Sequence, residues 1–145
     1  MKISIVSGGF DPLHVGHVEL FERAKSMSDE LWVILNTDEF LANKKGKSFM
    51  PFNERRKIVK SLRVVDIVIP CIDKDQTVCE TLRQIKKTAP RYELFFCNGG
   101  DRTSGKDTPE HEVCKKLGIE SVYGLGDKIQ SSSWLTDGKQ ETQIR

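Results

Sequence analysis

Five short apolar runs, at residues 3–6, 31–35, 66–69, 93–97 and 119–123, are set apart by longer stretches with helical spacing. Runs this short and this rich in Ile, Val, Leu and Phe read as buried strands. Between them, residues 15–27 place Val18, Leu20, Phe21 and Ala24 on one helical face. Residues 53–62 read as a second helix, with Asn53 as N-cap and Ile58, Val59 and Leu62 turned inward, and residues 77–88 as a third. Pro109 suits the first turn of a helix that stops before Gly118, and residues 131–135 open a last short one. Strand followed by helix, repeated, constrains the chain to a parallel sheet, because parallel neighbours need a crossover between them. Right-handed crossovers put helices on both faces. The pattern predicts an α/β fold: a single Rossmann-like domain with a five-stranded parallel sheet over residues 1–135, then a polar C-terminal tail over 136–145.

Charge and cysteine usage narrow the function classes. Lys and Arg number 23 against 21 Asp and Glu, a net charge of +2. Without a basic excess, or a basic stripe interleaved with aromatics, no nucleic-acid partner is expected. The longest apolar run is a few residues where a membrane span needs about 20, so no membrane association is expected. The start of the chain lacks the long apolar core of a secretory signal, which predicts a cytoplasmic location. Cys71, Cys79, Cys97 and Cys114 stand far apart with no C-x-x-C pair, and read as free, mostly buried thiols.

In open parallel sheets ligands bind beyond the carboxyl ends of the strands. The loops over residues 7–14, 36–52, 98–108 and 124–133 are therefore the places to look for chemistry. The first is the richest: Ser7-Gly8-Gly9-Phe10-Asp11-Pro12-Leu13-His14-Val15-Gly16-His17. Gly8 and Gly9 let the backbone turn and approach a ligand closely. The helix that follows aims free N–H groups and a partial positive charge at the strand ends, which suits a phosphate. His14 and His17 are three apart and share a helical face, with Gly16 leaving room against the first turn. Two histidines without a third ligand nearby make a poor zinc site, so no metal-ligating set is read here.

The stretch from Gly9 to His17 resembles the signature of the cytidylyltransferase-like nucleotidyltransferases, in particular glycerol-3-phosphate cytidylyltransferases and the heptose-phosphate adenylyltransferases. Asn36-Thr37-Asp38-Glu39-Phe40, the lysines that follow, Asn53-Glu54-Arg55-Arg56-Lys57 and the segment from Arg63 to Ile69 resemble the glycerol-type enzymes in order. Class I aminoacyl-tRNA synthetases share the His-x-Gly-His motif, but this chain is too short for one. The resemblance implies transfer of a nucleotidyl group from CTP, with ATP as the alternative, to a phosphorylated small alcohol or sugar, releasing pyrophosphate. An acceptor phosphomonoester, with a second pKa of about 6, is already a nucleophile near neutral pH. Positioning and positive charge then carry the rate.

On that resemblance His14, His17 and Lys44 are the catalytic candidates, the histidines as donors kept protonated by adjacent phosphates. Gly8, Gly9, Phe10, Asp11 and Gly16 fall on the nucleotide side. Asp11 either orients the loop, hydrates a metal, or serves as a structural cap. Mg2+ is expected through the substrate phosphates, with no protein cage. Arg55 and Lys45 are candidates for the acceptor phosphate. Asn98-Gly99-Gly100-Asp101-Arg102 resembles the heptose-type enzymes, so Asn98, Gly99, Asp101 and Arg102 are candidates for reading the base or acceptor. Lys128-Ile129-Gln130-Ser131-Ser132-Ser133 resembles the family's C-terminal motif, with Lys128 where the family has an arginine and Ser131 and Ser132 offering hydroxyls. Arg63-Val64-Val65-Asp66 resembles a dimer-contact segment, which implies a homodimer with Arg63 and Asp66 paired across the axis. A nucleotide-binding module without turnover is the rival reading.

Overall fold

The computed structural model describes residues 1–99 and 108–125. The elements run β1 (Lys2–Gly8), α1 (Val15–Ser26), β2 (Glu30–Leu35), α2 (Asp38–Lys45), α3 (Phe52–Lys60), β3 (Ile67–Pro70), α4 (Cys79–Thr88), β4 (Glu93–Gly99), α5 (Pro109–Leu117) and β5 (Glu120–Leu125). All strand pairings are parallel, in the order β3-β2-β1-β4-β5. The expected five-stranded parallel sheet is present. The proposed helix at 131–135 and the tail at 136–145 lie outside the described residues.

β1 is central and its Ile3, Ile5 and Val6 are fully buried, as a strand covered on both faces requires. Alternate residues feed two apolar layers. One holds Val6, Phe10, Phe21, Ala24, Val33 and Val59, under α1 and α3. The other holds Ile5, Ile34, Phe40, Leu82, Ile85 and Cys114, under α2, α4 and α5. The chain builds outward from β1 through β2 to β3, and α4 then carries it back across to β4. The order therefore reverses between β1 and β4, whose carboxyl ends, Gly8 and Gly99, frame the crevice where such sheets bind ligands. Next to it, the β4–β5 register slips between Cys97 and Gly99.

Two local readings are corrected. Residues 36–52 are not all loop, because α2 occupies Asp38–Lys45. Thr37 accepts from Phe40 N–H as N-cap, Asp38 and Glu39 face the positive helix end, Lys44 and Lys45 the negative end, and Gly46 at φ 97° stops it. The next helix starts at Phe52 after Pro51, not at an Asn53 cap, and Ile58 is 38% exposed while Val59 is buried. All four cysteines are free and buried, as expected. No helix among the described residues is long and apolar enough to cross a membrane.

Candidate active site

The site grows out of the β1–α1 loop. A Cβ on Gly8 would sit 2.9 Å from the tip of the buried Phe10 ring, and one on Gly9 would sit 2.8 Å from a methyl of Leu41, so a side chain at either position would push a core residue aside. Phe10 takes a left-handed φ of 49°, an uncommon conformation for a residue with a side chain. Its ring drops into the α1-side core, edge-on to His17 at 4.9 Å and to Phe21 at 5.0 Å. Phe10 thereby fixes the plane of His17, and its own side chain is not available to a nucleotide.

His14 is the N-cap of α1 and His17 its third residue. His14 Nδ1 accepts from Gly16 N–H at 3.1 Å, and His17 Nδ1 accepts from His14 N–H at 3.1 Å. The rings stack at 3.8 Å. This is a capping box built from two imidazoles. With each Nδ1 acting as acceptor, the proton of each neutral ring sits on Nε2. Burial lowers the pKa of His14. Burial, with His14 alongside, pushes that of His17 down to about 3. In the free protein burial works against the protonated form of both rings, leaving each an Nε2–H donor, while protonation by adjacent phosphates is an expectation for the bound state.

Asp11 orients its surroundings. Its carboxylate accepts from Phe49 N–H at 2.5 Å and Met50 N–H at 2.7 Å, and pairs with Lys45 at 3.1 Å. Its side chain is 1% exposed. These contacts correct its nucleotide-side reading, because both oxygens are committed to the turn between α2 and α3. Lys45 is corrected with it, since its Nζ turns to the Asp11 carboxylate and carbonyl. Lys44, one residue earlier, faces the cavity described below.

Arg55 is the largest correction. It is fully buried. Its guanidinium donates to Met50 O at 2.9 Å, Gly9 O at 3.0 Å, Asn36 O at 2.8 Å and Asp38 Oδ1 at 2.7 Å. No face remains for an acceptor phosphate. The residue ties the first loop, the end of β2 and α2 together, and its charge holds the Asp38 carboxyl below its usual range. Asp66 has partners within the chain, Lys25 at 2.6 Å and Leu31 N–H at 2.9 Å, both on Oδ2.

On the α4–α5 side of the strand ends lies a cavity of about 510 Å³. Its floor is Ser7, Gly8, Asn98 and Gly99, at the crevice between β1 and β4. A Cβ on Gly99 would lie 2.7 Å from Leu125 O. Lys44 and Asn36 stand on the β2 side, and Glu110, His111 and Tyr123 on the β4–β5 side. The last three were missed in the sequence. The Thr108-Pro109 helix start was the available signal, since it sets Glu110 and His111 in the first turn of α5. Asp101, Arg102, Lys128, Ser131 and Ser132 lie outside the described residues. Among the described residues no group of three His, Cys, Asp or Glu is placed to hold a metal.

Comparison with known proteins agrees with this architecture. The profile of the cytidylyltransferase-like family matches residues 5–128. A glycerol-3-phosphate cytidylyltransferase of Bacillus spizizenii is 40% identical over 86% of this chain and 91% of its own length. One from Staphylococcus aureus is 47% identical over 48% of this chain, and here the match spans about half, 53%, of that relative. The crystal structure of a lipopolysaccharide core biosynthesis protein from Thermoplasma volcanium superposes with a TM-score of 0.67 at 24% identity, covering 86% of this chain and 94% of that one, a likeness of fold. Sheet order, the glycine-rich first loop with its paired histidines, and a match across most of the chain converge: the chain belongs to the cytidylyltransferase-like family.

Proposed function

We propose that the protein is a nucleotidyltransferase that moves a cytidylyl group from CTP to a phosphorylated small alcohol or sugar and releases pyrophosphate. The observation that carries this reading is the pair of neutral imidazoles at the N-terminus of α1, each with Nδ1 spent on a backbone N–H and Nε2–H free to donate. Fixed donors at a helix N-terminus stabilise charge that grows on an α-phosphate, without reorganising as it grows.

In-line displacement puts the attacking and leaving oxygens on opposite sides of the α-phosphorus. With the triphosphate against the histidines on the α1 side, the acceptor approaches from the other side of the β1 end. That is where the cavity and Lys44 lie. The acceptor phosphate oxygen forms the new P–O bond, the α–β bridge breaks, and pyrophosphate carries away the electron pair. No general base is required. Mg2+ would be held through the nucleotide's own phosphates and would offset their negative charge there. Asp11, the carboxylate of the first loop, is spent on Phe49 and Met50 N–H and on Lys45, so this reading gives it no metal-ligand role.

A pyrophosphate-release screen crossing the four nucleoside triphosphates with phosphorylated alcohols and sugars tests the reading. Release with CTP and at least one acceptor is expected, and preference for ATP would move the chain to the adenylyl side. Nucleotide binding without release across the panel would favour the binding module. Excess chelator should abolish turnover. We also place the enzyme in the cytoplasm as a homodimer, joined near the β3 edge where Arg63 and Ile67 are exposed. A monomer by light scattering at micromolar concentration would remove the dimer.

A further inference from the structure

The loop between β3 and α4, residues 71–78, is bonded more densely than a surface connection needs. Asp73 is 7% exposed, and its carboxylate accepts from Glu80 N–H at 2.7 Å, Thr81 N–H at 2.9 Å and the Thr81 hydroxyl at 2.6 Å. Asp75 reaches past Gln76 to Thr77, where its Oδ1 accepts from the N–H at 3.2 Å and from the hydroxyl at 2.7 Å. Gln76, held between them, takes a left-handed φ of 69°. That conformation is uncommon for a residue with a side chain, and it persists where the surroundings over-determine it. The other such residue among those described, Phe10, belongs to the first loop of the site.

The strained backbone presents a side chain to α2. Gln76 lines the cavity, and its Nε2 donates to Phe40 O at 3.4 Å, 36 residues back along the chain. Phe40 is in the first turn of α2, and the i→i−4 pattern of a helix gives that same carbonyl to Lys44 N–H. The Gln76 amide therefore grips α2 at the carbonyl that closes the turn carrying Lys44. Such a helix needs holding. It has eight residues, buries Phe40 and Leu41, and leaves Lys44 exposed, and a helix of two turns has little stability of its own. On the first-loop side Arg55 holds its Asp38 and Asp11 holds its Lys45. Gln76 supplies a hydrogen bond from the cavity side.

We infer that Gln76 is a positioning residue for Lys44: its amide, presented by a strained loop, holds the turn of α2 from which Lys44 meets the acceptor phosphate. The inference rests on the reading of Lys44 as that phosphate's partner. Loss of the amide frees the turn and weakens phosphate binding through Lys44, while the histidines on the other side of the strand end keep their geometry. Acceptor KM then rises and kcat holds.

Gln76→Gly separates the backbone from the amide, because glycine adopts this φ freely and carries no side chain. Gln76→Asn, which also tolerates the left-handed backbone but is one methylene short, serves as the second variant should glycine loosen the loop. In the ligand-free protein, exchange of the Lys44 amide followed by NMR should speed up by about five-fold. At saturating CTP, KM for glycerol 3-phosphate, or for the acceptor that outruns it in the pyrophosphate screen, should rise by about three-fold at unchanged kcat. In a Lys44→Met background the same substitution should change that KM by less than about 1.5-fold, because the effect runs through Lys44. Unchanged exchange at Lys44, an unchanged KM, or a KM effect that multiplies with that of Lys44→Met overturns the inference, the last because it would make Gln76 a direct substrate contact. If the wild-type protein turns over no acceptor, the transferase reading falls, while faster exchange at Lys44 still upholds the grip on α2.

Discussion

On the α1 side of the β1 end, polar groups satisfy one another. His17 accepts from His14, His14 accepts from Gly16, and the Asp11 carboxylate is taken up by Phe49, Met50 and Lys45. On the α4–α5 side, Lys44 and Glu110 face a cavity. The first arrangement suits a group that must not move while charge develops on its ligand. The second leaves charged groups for a ligand to meet, which suits recognition. On the proposed reading, preorganisation and selectivity are divided between the two faces of one strand end.

Arg55 joins the two sides, since one nitrogen donates both to Gly9 O in the α1-side loop and to Asn36 O beside the cavity. Arg55→Met should break the comparison outright. It removes the donor to three backbone carbonyls and should cost about 3 kcal/mol of stability, read as a lower urea midpoint at unchanged m-value. Lysine at this position places one ammonium where a planar fork served several acceptors, so Arg55→Lys should recover only part of the loss. A midpoint within error of wild type for Arg55→Met would show that the two sides are not held together this way.

Little of that role was legible beforehand. Glu54-Arg55-Arg56-Lys57 reads as a run of charge on a solvated helix face, and nothing local separates the buried arginine from its exposed neighbour. Only the return of α3 beneath the first loop does so. The strands were legible because their apolar runs are too short for helices and too apolar for loops. The histidine pair was legible because its spacing is local. α2 was missed because its eight residues show only two buried apolar side chains, Phe40 and Leu41. Glu110, His111 and Tyr123 were missed because the β4–α5–β5 return brings them together, and spacing along the chain does not encode that.

The next largest effect tests the preorganised side. On the proposed reading His17→Ala removes an Nε2–H donor to the α-phosphate and should lower kcat by at least about 100-fold, with the acceptor KM little changed. It also strips half of the cap from α1, at about 1 kcal/mol of stability. Turnover near wild type in the folded variant would remove the role.

A pH titration of stability sharpens the same point. Unfolded, His17 has the ordinary value near 6.5, and folded it lies at about 3. Below 6.5 the unfolded chain takes up a proton that the native chain refuses. The stability this neutral ring contributes is therefore full above 6.5 and is lost as pH falls toward 3, at roughly 1 kcal/mol per pH unit. Asp11, Asp38 and Asp66, whose pKa values are lowered in the fold, add their own loss below the usual carboxylate range. His17→Asn should flatten the thermal midpoint between pH 6 and 4.5 and leave the acid limb, whereas an unchanged slope would place the titrating group elsewhere.

The smallest expected effect separates adjacent lysines. Lys45 is 44% exposed and pairs with a buried Asp11 that keeps two backbone N–H donors without it. Lys45→Met should therefore cost only about 0.5 kcal/mol, by urea denaturation, as partly exposed ion pairs do. Because its ammonium turns to the first loop and not into the cavity, acceptor KM in Lys45→Met should stay within about two-fold of wild type, the range of a change that removes no ligand contact. Lys44→Met, one residue away, removes the basic side chain among the cavity's described lining residues and should raise that KM by about ten-fold. A larger KM change in Lys45→Met than in Lys44→Met would exchange their roles, and would place the acceptor phosphate on the α1 side of the strand end.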